Sequence, residues 1–319
     1  MATKDKLLAL LQNRQGSYLS GEELAQSLGV SRTAVWKAIR QLREAGLPID
    51  AVTNRGYRLS AQADLPDPER IRSLLNSPLW TLQYLPTVPS TNARLKALAG
   101  QGSPEGTVIL AGEQTKGRGR MGRAFFSPEG TGLYLSLLLR PKDLTPDRAL
   151  QLTTMAAAAM TQAISAVTGK APGIKWVNDL LLEGRKICGI LTEASLNLET
   201  GSLDYAVLGL GLNLYPPEDG FPEDLQGIAG ALLDRPCPDT KNRLTAAFLN
   251  AFGDLYETRD FSQAAELYRS ASILVGKQVL ASGRQALVTD INERCQLVLQ
   301  YDSGETQALS YGEVSIVNL

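Results

Sequence analysis

The segment KGRGRMGR, residues 116–123, gathers four positive charges and three glycines in a chain whose net charge is only -1. Glycines allow successive backbone N–H groups to converge on one anion, and arginines add charge-assisted hydrogen bonds. The segment is therefore a candidate anion-binding loop. Taken alone, it is also compatible with a short arm that binds nucleic acid, or with a solvated loop that binds nothing.

The same segment contains the spacing G-x-G-x-x-G, at Gly117, Gly119 and Gly122. A dinucleotide-binding fingerprint requires a helix immediately after this spacing and an acidic residue about 20 positions further on. The following residues, AFFSPEGTGLYLSLLLRP, contain helix-breaking proline and glycines and lead into an apolar strand over 133–139. The pattern therefore excludes a dinucleotide site and predicts a loop between that strand and another at 107–110.

A second set of polar residues interrupts apolar strands between positions 175 and 193. Its members are Lys175, Asn178, Asp179, Lys186 and Glu193. Buried charges cost several kcal/mol unless they are paired or hydrogen-bonded, so this set favours a functional site over plain packing. The chain has no histidine, which excludes His-based triads and most zinc sites. Any chemistry must use Lys, Arg, Asp, Glu and backbone groups.

The length of 319 residues predicts two or three domains. Residues 61–70 read as a linker, the following stretch as mixed α/β, and residues 270–319 as short strands of a small β-barrel. No apolar run reaches the roughly 18 residues of a membrane span, and the N-terminus lacks the pattern of a signal peptide. Three scattered cysteines are typical of reduced thiols. We expect a cytoplasmic protein.

The first sixty residues carry nine Lys/Arg and five Asp/Glu, a local excess of positive charge. Their pattern predicts a helix-turn-helix, with a capping box at Ser20 and Glu23 and a tight turn at Gly29, followed by a two-stranded wing. Cations on the second helix and wing suggest contact with DNA. The candidate DNA-binding residues are Ser31, Arg32, Thr33, Trp36, Lys37, Arg40, Arg55 and Arg58. A winged helix retained for protein contacts, with ordinary surface charge, is the alternative. Separately, Trp36 is also compatible with a place in the core.

The motifs GRGRMGR, KWVND and GRKICGIL, and the order winged helix, α/β core and small barrel, resemble the bifunctional biotin–protein ligases that also repress biotin synthesis. The resemblance implies an α+β protein of three domains. These are a winged helix-turn-helix (1–62), a mixed α/β catalytic domain of class II synthetase-like type (63–269), and an SH3-like small β-barrel (270–319).

The resemblance also implies a two-step reaction. Biotin and Mg²⁺-ATP would give biotinyl-5′-AMP, from which biotin passes to a lysine of the biotin carboxyl carrier protein of acetyl-CoA carboxylase. Biotinyl-5′-AMP would act as co-repressor for a homodimer on operator DNA. Both chemical steps concentrate negative charge around phosphorus, which suits fixed cations and backbone N–H donors.

Roles follow from the resemblance position by position. The implied catalytic residues are Lys186, Arg118, Arg120 and Asp179. The implied biotin-binding residues are Ser90, Thr91, Asn92, Gln114, Arg118, Gly119, Arg120, Lys186, Gly189, Gly209 and Gly211. The implied adenylate-binding residues are Gly117, Arg118, Arg120, Arg123, Phe125, Asn178 and Asn213. No residue is assigned to a protein-bound metal.

Three positions depart from the family pattern: Val177 replaces a proline, Lys116 a small residue, and Phe125 the tryptophan that stacks on adenine. A phenyl ring can still stack, over less area. Other hypotheses are a ligase whose winged helix no longer controls an operon, a ligand-sensing transcription factor with an inactive core, and a lipoate ligase. Intact Lys186, Asp179 and GRGRMGR disfavour the inactive core.

Overall fold

A computed structural model gives the fold of this chain. The structure describes residues 3–14, 17–44, 47, 49–53, 55–59, 64–141, 149–196, 203–258 and 261–317. Three of the predicted features lie partly or wholly outside these residues: the start of the linker at 61–63, the first domain boundary at 62/63, and the tip of the wing at position 54.

The N-terminal unit is a winged helix-turn-helix, as predicted. Its elements are α1 (Thr3–Asn13), α2 (Gly21–Leu28), α3 (Arg32–Glu44), β1 (Ile49–Val52) and β2 (Gly56–Leu59). The predicted capping box is present, since the Ser20 hydroxyl accepts from the Glu23 N–H and the Glu23 carboxylate accepts from the Ser20 N–H. Gly29 ends α2 in the left-handed conformation, at φ 63°, which favours glycine. These caps fix the turn that orients α3.

The central unit is a seven-stranded sheet with helices on both faces. Its strands are β3 (Thr81–Val88), β4 (Thr107–Gln114), β5 (Gly132–Leu139), β6 (Gly173–Lys175), β7 (Asp179–Leu182), β8 (Arg185–Leu196) and β9 (Leu203–Asn213). Their order is β3-β4-β5-β9-β8-β7-β6, with only β3 and β4 parallel. The helices are α4 (Pro68–Arg72), α5 (Thr91–Gly100), α6 (Ala149–Thr168), α7 (Thr240–Thr258) and α8 (Phe261–Ser270).

Apolar side chains from both faces of the strands explain this layered arrangement. One face packs against α6 and α7 in a large core that includes Leu135, Met155, Phe248 and Phe252. The other face packs against α5 through a smaller cluster around Leu95. Strand β5 is buried along its whole length, as expected for a central strand covered on both faces. None of the helices in the described part of the chain combines the length and hydrophobicity that a membrane span requires.

The C-terminal unit is an antiparallel five-stranded sheet. Its strands are β10 (Gln278–Ala281), β11 (Arg284–Ile291), β12 (Leu297–Gln300), β13 (Thr306–Leu309) and β14 (Val314–Ile316), in the order β13-β12-β11-β10-β14. Within the described residues β13 and β14 do not pair, so the sheet is open and the predicted barrel closure is not seen. Its buried residues Val279 and Val288 join the core of the central unit. The expected boundary at 269/270 falls just before α8 ends at Ser270.

The segment predicted as a linker is packed rather than free from Asp64 onward. Asp64 is only 6% exposed, and its carboxylate accepts hydrogen bonds from the Tyr215 hydroxyl at 2.7 Å and the Lys241 N–H at 3.0 Å. Asp67 caps α4 through the N–H groups of Glu69 and Arg70. The sequence reading was wrong here because aspartate and proline mark helix starts as readily as loops.

Glu129, in the turn before β5, is a partly buried carboxyl that should make the stability of the protein depend on pH. Burial, and next the negative charge of Glu113, raises the pKa of Glu129 from 4.5 to about 7, while Lys4 and Lys241 act to lower it. Because the folded-state pKa is the higher one, stability is lost as pH rises from about 4.5 to about 7. The free energy of unfolding of the wild type relative to Glu129→Gln should fall by about 1–3 kcal/mol over that range. Urea unfolding of both proteins at several pH values measures this, and a difference independent of pH would contradict it.

Candidate active site and DNA-binding surface

A cavity of about 540 Å³ opens between the central sheet and the 114–126 loop. All but one of the residues predicted to bind biotin or adenylate line it. The exception is Gly117, which packs against the returning chain instead. A side chain at Gly117 would collide with the carbonyl of Phe125 and the hydroxyl of Ser127. This close approach explains why glycine occupies the position.

The predicted loop between two strands is present, and it is folded back on itself. The Phe125 N–H donates to the Gly117 carbonyl at 3.0 Å, and the Gly119 N–H to the Arg123 carbonyl at 2.7 Å. Arg120 leaves this hairpin to donate to Asn178 Oδ1 at 2.8 Å and to the Gly312 carbonyl at 3.3 Å. The loop is therefore tied both to the sheet and to the C-terminal unit.

A neighbouring contact reinforces this connection. The guanidinium of Arg123 pairs with both carboxylate oxygens of Glu313, at 2.8 and 3.0 Å. Both side chains are largely exposed, so the pair contributes little stability by itself. Its consequence is geometric, because Glu313 thereby becomes part of the cavity wall.

Hydrogen-bonding groups converge at one end of the cavity, where β3 leads into α5. Ser90 caps α5 through the Ala93 N–H. Gln114 Oε1 accepts from the Thr91 N–H at 2.9 Å and lies 3.0 Å from the Thr91 hydroxyl, while Gln114 Nε2 donates to Ser127 at 3.0 Å. The other N–H of the Gln114 side chain makes no hydrogen bond to any residue that the structure describes. This end of the cavity can therefore form hydrogen bonds with a small polar head group of a ligand.

Lys186 and Asp179 form an ion pair on adjacent strands at the other side of the cavity. Their Nζ and Oδ1 atoms are 2.7 Å apart. Oδ1 makes no hydrogen bond of good geometry, so the contact is electrostatic in character, and the short distance identifies it as an ion pair. A bulge separates the pairs Leu180–Cys188 and Leu181–Lys186, and bulges of this kind re-aim side chains next to active sites. The result is a fixed cation facing an enclosed space.

The backbone of Lys186 also holds the segment that covers this side of the cavity. Its N–H donates to the Ile228 carbonyl at 2.8 Å, and its carbonyl accepts from the Gly230 N–H at 2.9 Å. Phe221, Leu225 and Ile228 of that segment contribute apolar wall. The cavity thus has a polar end, a charged centre and an apolar rim, the composition common in sites for small molecules.

Three glycines of β8 and β9, all among the implied biotin-binding residues, form the floor of the cavity. A Cβ at Gly209 would collide with the Asn92 amide, and one at Gly211 with the Phe125 ring. Gly189, which pairs with Gly211 across the strands, lies under the same ring. Phe125 therefore rests on the floor in this structure, beside Val88, Ala111 and Tyr134.

The N-terminal unit presents a second concave surface, a groove of about 650 Å³ between α3 and the wing. Arg32, Thr33 and Trp36 line it. Trp36 is 50% exposed and stacks against Arg40, so the alternative that places it in the core is wrong. An exposed tryptophan on a helix beside cations is available for a partner.

The remaining candidates for DNA contact have more varied surroundings. Ser31 caps α3 through the Ala34 N–H, and Lys37 is exposed on the same helix. Arg55 and Arg58 both lie over the Tyr18 ring, at 4.9 and 4.6 Å. Arg58 also pairs with Asp50 across the wing. The negative charge of Asp50 offsets the positive charge of Arg58, so Arg58 attracts a phosphate less strongly. The pair also links the two strands of the wing.

Comparison with known proteins agrees with this geometry. Residues 84–213 match the biotin/lipoate A/B protein ligase family, and residues 3–58 match a helix-turn-helix domain. The chain is 35% identical over 284 residues to the bifunctional ligase/repressor BirA of Bacillus spizizenii, covering 86% of each protein. It is 36% identical over 209 residues to the BirA of Escherichia coli, covering 66% of this chain and 63% of that protein. The chain belongs to the biotin/lipoate A/B protein ligase family.

The fold comparison extends this family assignment to three dimensions. The biotin protein ligase from Aquifex aeolicus, solved in complex with biotin and ATP, superposes with a TM-score of 0.62 at 26% identity, over 75% of this chain and 99% of that one.

The departure at Val177 from the family pattern has a visible compensation. Its carbonyl accepts from the Tyr268 hydroxyl at 3.0 Å, and the neighbouring Trp176 donates its indole N–H to the Cys295 carbonyl at 3.0 Å. Both Trp176 and Val177 are buried. Two long-range hydrogen bonds thus hold the turn that presents Asn178 and Asp179.

Sequence reasoning missed several residues of the site. Ser136 lies beneath the polar end, fully buried, with its hydroxyl 2.7 Å from that of Thr91. The signal was available, since Ser136 is the lone polar residue in the apolar run LYLSLLL. Glu313 and the 221–229 segment gave no comparable signal, because their place at the cavity depends on long-range packing.

Proposed function

We propose that this protein is an ATP-dependent biotin–protein ligase that also binds operator DNA as a repressor of biotin synthesis genes. The observation that carries the enzymatic part is the convergence of Lys186, Asp179, Arg118 and Arg120 on one cavity with a polar end and a glycine floor. The exposed Trp36 beside cations on α3 carries the DNA-binding part. The relatives named as bifunctional ligase/repressors support both.

The polar end suits the ureido ring of biotin, and the apolar walls suit its tail. Thr91 and Gln114 are positioned by their mutual hydrogen bonds, and the free N–H of Gln114 would donate to the ureido carbonyl. The biotin carboxylate would then extend toward Lys186. In this binding mode Phe125 moves off the glycine floor and packs against the ligand, as expected if it replaces an adenine-stacking tryptophan.

In the first step, a carboxylate oxygen of biotin attacks the α-phosphorus of ATP, and the bond to the β-phosphate oxygen breaks to release pyrophosphate. Lys186 neutralises charge on the attacking carboxylate and on the α-phosphate oxygens, and Arg118 and Arg120 bind the phosphate side. Asn178, Asn213 and Arg123 complete the adenylate contacts. Fixed cations of this kind lower the barrier because charge accumulates on oxygen in the transition state.

Mg²⁺ commonly binds through substrate phosphates and one or two carboxylates. Asp179 fits this requirement, because its Oδ1 is buried in the cavity without a hydrogen bond. Mg²⁺, when bound there with ATP, would neutralise phosphate charge. Its presence would also require Lys186 to turn from Asp179 toward the α-phosphate.

In the second step, the amine of a carrier-protein lysine attacks the acyl carbon of biotinyl-5′-AMP, an amide bond forms, and AMP leaves with the bonding electrons. The amine must be neutral to react, and Asp179, once free of Lys186, is placed to accept its proton. The proposed acceptor is the biotin carboxyl carrier protein of acetyl-CoA carboxylase. A ligase whose winged helix controls no biotin operon is the alternative function.

The direct test is to incubate the full-length protein with ATP, biotin and a purified carrier domain, and to detect product with streptavidin. We expect labelling of the carrier that is absent when its acceptor lysine is arginine. Replacing biotin with lipoate tests the related activity of the family. Carrier labelled with lipoate but not with biotin would overturn the proposed substrate.

We also propose three features of organisation: a DNA-binding domain over 1–62, a catalytic domain over 63–269, and an SH3-like C-terminal domain over 270–319 in a cytoplasmic protein. The separate apolar core of the winged helix, built around Leu7, Val35 and Leu59, supports the first division. Strand order β13-β12-β11-β10-β14 is compatible with an SH3-like arrangement. Limited proteolysis with mass spectrometry would locate the boundaries.

Biotinyl-5′-AMP should promote a homodimer and its binding to DNA. A single winged helix offers few base contacts, so a symmetric dimer on a palindromic site is expected. Linkage requires the adenylate to bind the dimer more tightly, by about 1–3 kcal/mol. Sedimentation and gel shifts with a non-hydrolysable adenylate analogue measure both effects. Unchanged dimerisation and unchanged DNA affinity would leave the ligase-only alternative.

A further inference from the structure

Glu193 lies on β8 immediately behind the cavity and is not part of its lining. Its carboxylate connects β8 to α5 and to the loop. Two contacts are with α5: Oε2 accepts from Asn92 Nδ2 at 3.0 Å, and Oε1 accepts from Lys96 Nζ at 2.8 Å. Arg118 of the loop approaches Oε1 to 3.8 Å. Burial acts to raise the pKa of Glu193, but the hydrogen bonds from Lys96 and Asn92 and the two positive charges lower it overall. The group is therefore a fixed anion at neutral pH.

Asn92 is saturated by protein groups and has little left to offer a ligand. Its amide nitrogen donates to the Leu191 carbonyl at 3.3 Å and to Glu193, while its oxygen accepts from the Ser136 hydroxyl at 2.6 Å. The side chain is also pressed against Gly209. Asn92 thus acts as a strut between α5 and the sheet, which differs from the direct ligand contact expected from the sequence.

The carboxylate of Glu193, helped by the Leu191 carbonyl at the longer distance of 3.3 Å, fixes the orientation of the Asn92 amide. An acceptor-only group on one side requires the amide nitrogen to face it, so the amide oxygen must face Ser136. Ser136 has one proton for two neighbours, Asn92 Oδ1 at 2.6 Å and Thr91 Oγ1 at 2.7 Å. Because the amide oxygen can only accept, every group is satisfied when Ser136 donates to Asn92. Thr91 then acts as the donor in its own contacts with Ser136 or Gln114.

We propose that Glu193 is a positioning residue that sets the donor and acceptor pattern of the polar end of the biotin pocket, by orienting Asn92 and through it Ser136, Thr91 and Gln114. The inference rests on the proposed ligase function. Glu193 touches no substrate in this scheme. Its influence reaches the ureido ring through four side chains. Toward the phosphate side it has, among the described residues, only the 3.8 Å contact with the exposed Arg118, which is worth little.

The test compares Glu193→Ala, Glu193→Gln and Lys96→Met in the full-length protein. Steady-state pyrophosphate release gives kcat and the KM values for biotin and ATP, and calorimetry gives the Kd for biotin alone. Glu193→Ala should raise KM and Kd for biotin about 10- to 100-fold, as expected when a hydrogen bond to a charged group is lost, with KM for ATP within about twofold of wild type.

The other two variants separate the parts of the cluster. Glu193→Gln keeps an oxygen that can accept from Asn92 but loses the charge, so it should restore the biotin Kd to within about threefold of wild type. Lys96→Met is the matched control, because Lys96 contacts the same carboxylate without touching Asn92. It should leave the biotin Kd within about twofold. Thermal melting of each variant, with KM for ATP, reports whether the fold is intact.

Two results would overturn the inference: a biotin Kd for Glu193→Ala equal to that of wild type, or equal losses in Glu193→Ala and Glu193→Gln. A Glu193→Ala protein that fails to fold still leaves Glu193→Gln, whose biotin Kd should stay within about threefold of wild type. A folded Glu193→Gln protein whose biotin Kd rises more than about tenfold, while that of Lys96→Met does not, would refute the role of Asn92 orientation. Failure of the proposed function is distinguishable, because the wild type itself would then release no pyrophosphate with biotin and ATP.

Discussion

Lys186→Ala should reduce biotin-dependent release of pyrophosphate about 100- to 1,000-fold, the usual effect of removing one preorganised charge-stabilising contact. The Lys186 ammonium is held in the cavity by Asp179 at 2.7 Å, close to the position that the proposed binding mode gives the α-phosphate. Lys186 is the one lysine of β8, all of which the structure describes. The loss should appear in kcat more than in the KM for biotin, because the contact strengthens as charge develops.

Lys175→Ala is the matched control for this prediction. Lys175 lines the same cavity. Its relation to Asp179 is one of backbone position only, since the two residues lie opposite each other where β6 pairs with β7. If general positive charge were sufficient, both variants would lose similar activity. Circular dichroism of both proteins checks the fold. Near wild-type pyrophosphate release by Lys186→Ala would remove Lys186 from its assigned role.

The winged helix and the loop were predictable because both depend on local rules. The capping box at Ser20 and the left-handed Gly29 fix the turn of the helix-turn-helix without reference to the rest of the chain. The residues after Gly122 exclude a helix by composition alone. In these regions a single pattern of a few residues determines the geometry, so the sequence and the structure agree.

The rest of the site depends on contacts that no local pattern encodes. Arg123 meets Glu313 across 190 positions, and Asp64 is buried against α7 although its neighbours resemble a linker. The expected closure of the C-terminal strands into a barrel is not seen among the described residues for a related reason. Strand content is visible in a sequence, whereas pairing between the two edge strands β13 and β14 is not. Asn92 shows a further limit, because it lines the cavity while its hydrogen bonds are made to protein groups.

The adenine-stacking role of Phe125 could be proposed from the sequence, but it depends on the conformation of the loop that carries this residue. Its ring packs on Gly211 and Gly189, where a ligand would rest in the proposed binding mode. No residue from 114 to 126 of the loop that carries it is fully buried, and Arg120 and Arg123 link the loop to the sheet and the C-terminal unit. Opening and closing of this loop would therefore move Phe125 and the two arginines together, which ties binding of the ligand to closure of the site.

Arg120→Gly should convert the protein into one that forms biotinyl-5′-AMP but releases it prematurely. Arg120 donates to Asn178 and to the Gly312 carbonyl, so it is the residue that fastens the loop to both the sheet and the C-terminal unit. Each hydrogen bond of a charged group contributes about 1.5–3 kcal/mol. Two such bonds correspond to about 3–6 kcal/mol. Because the Gly312 contact is long, at 3.3 Å, we take the lower end, which should speed release of the adenylate on the order of 100-fold. The free adenylate would then react with any accessible lysine.

The measurement is biotin labelling of a bystander protein, such as a lysine-rich albumin, mixed with the enzyme, ATP and biotin but no carrier. Arg120→Gly should label the bystander strongly, and the wild type should not. Lys116→Gly is the matched control, because Lys116 is an exposed cation of the same loop whose replacement adds the same flexibility without removing either contact. Equal labelling by the two variants would show that loop flexibility, and not the Arg120 contacts, retains the adenylate. An unlabelled bystander with undiminished carrier labelling by Arg120→Gly would refute the closure mechanism itself.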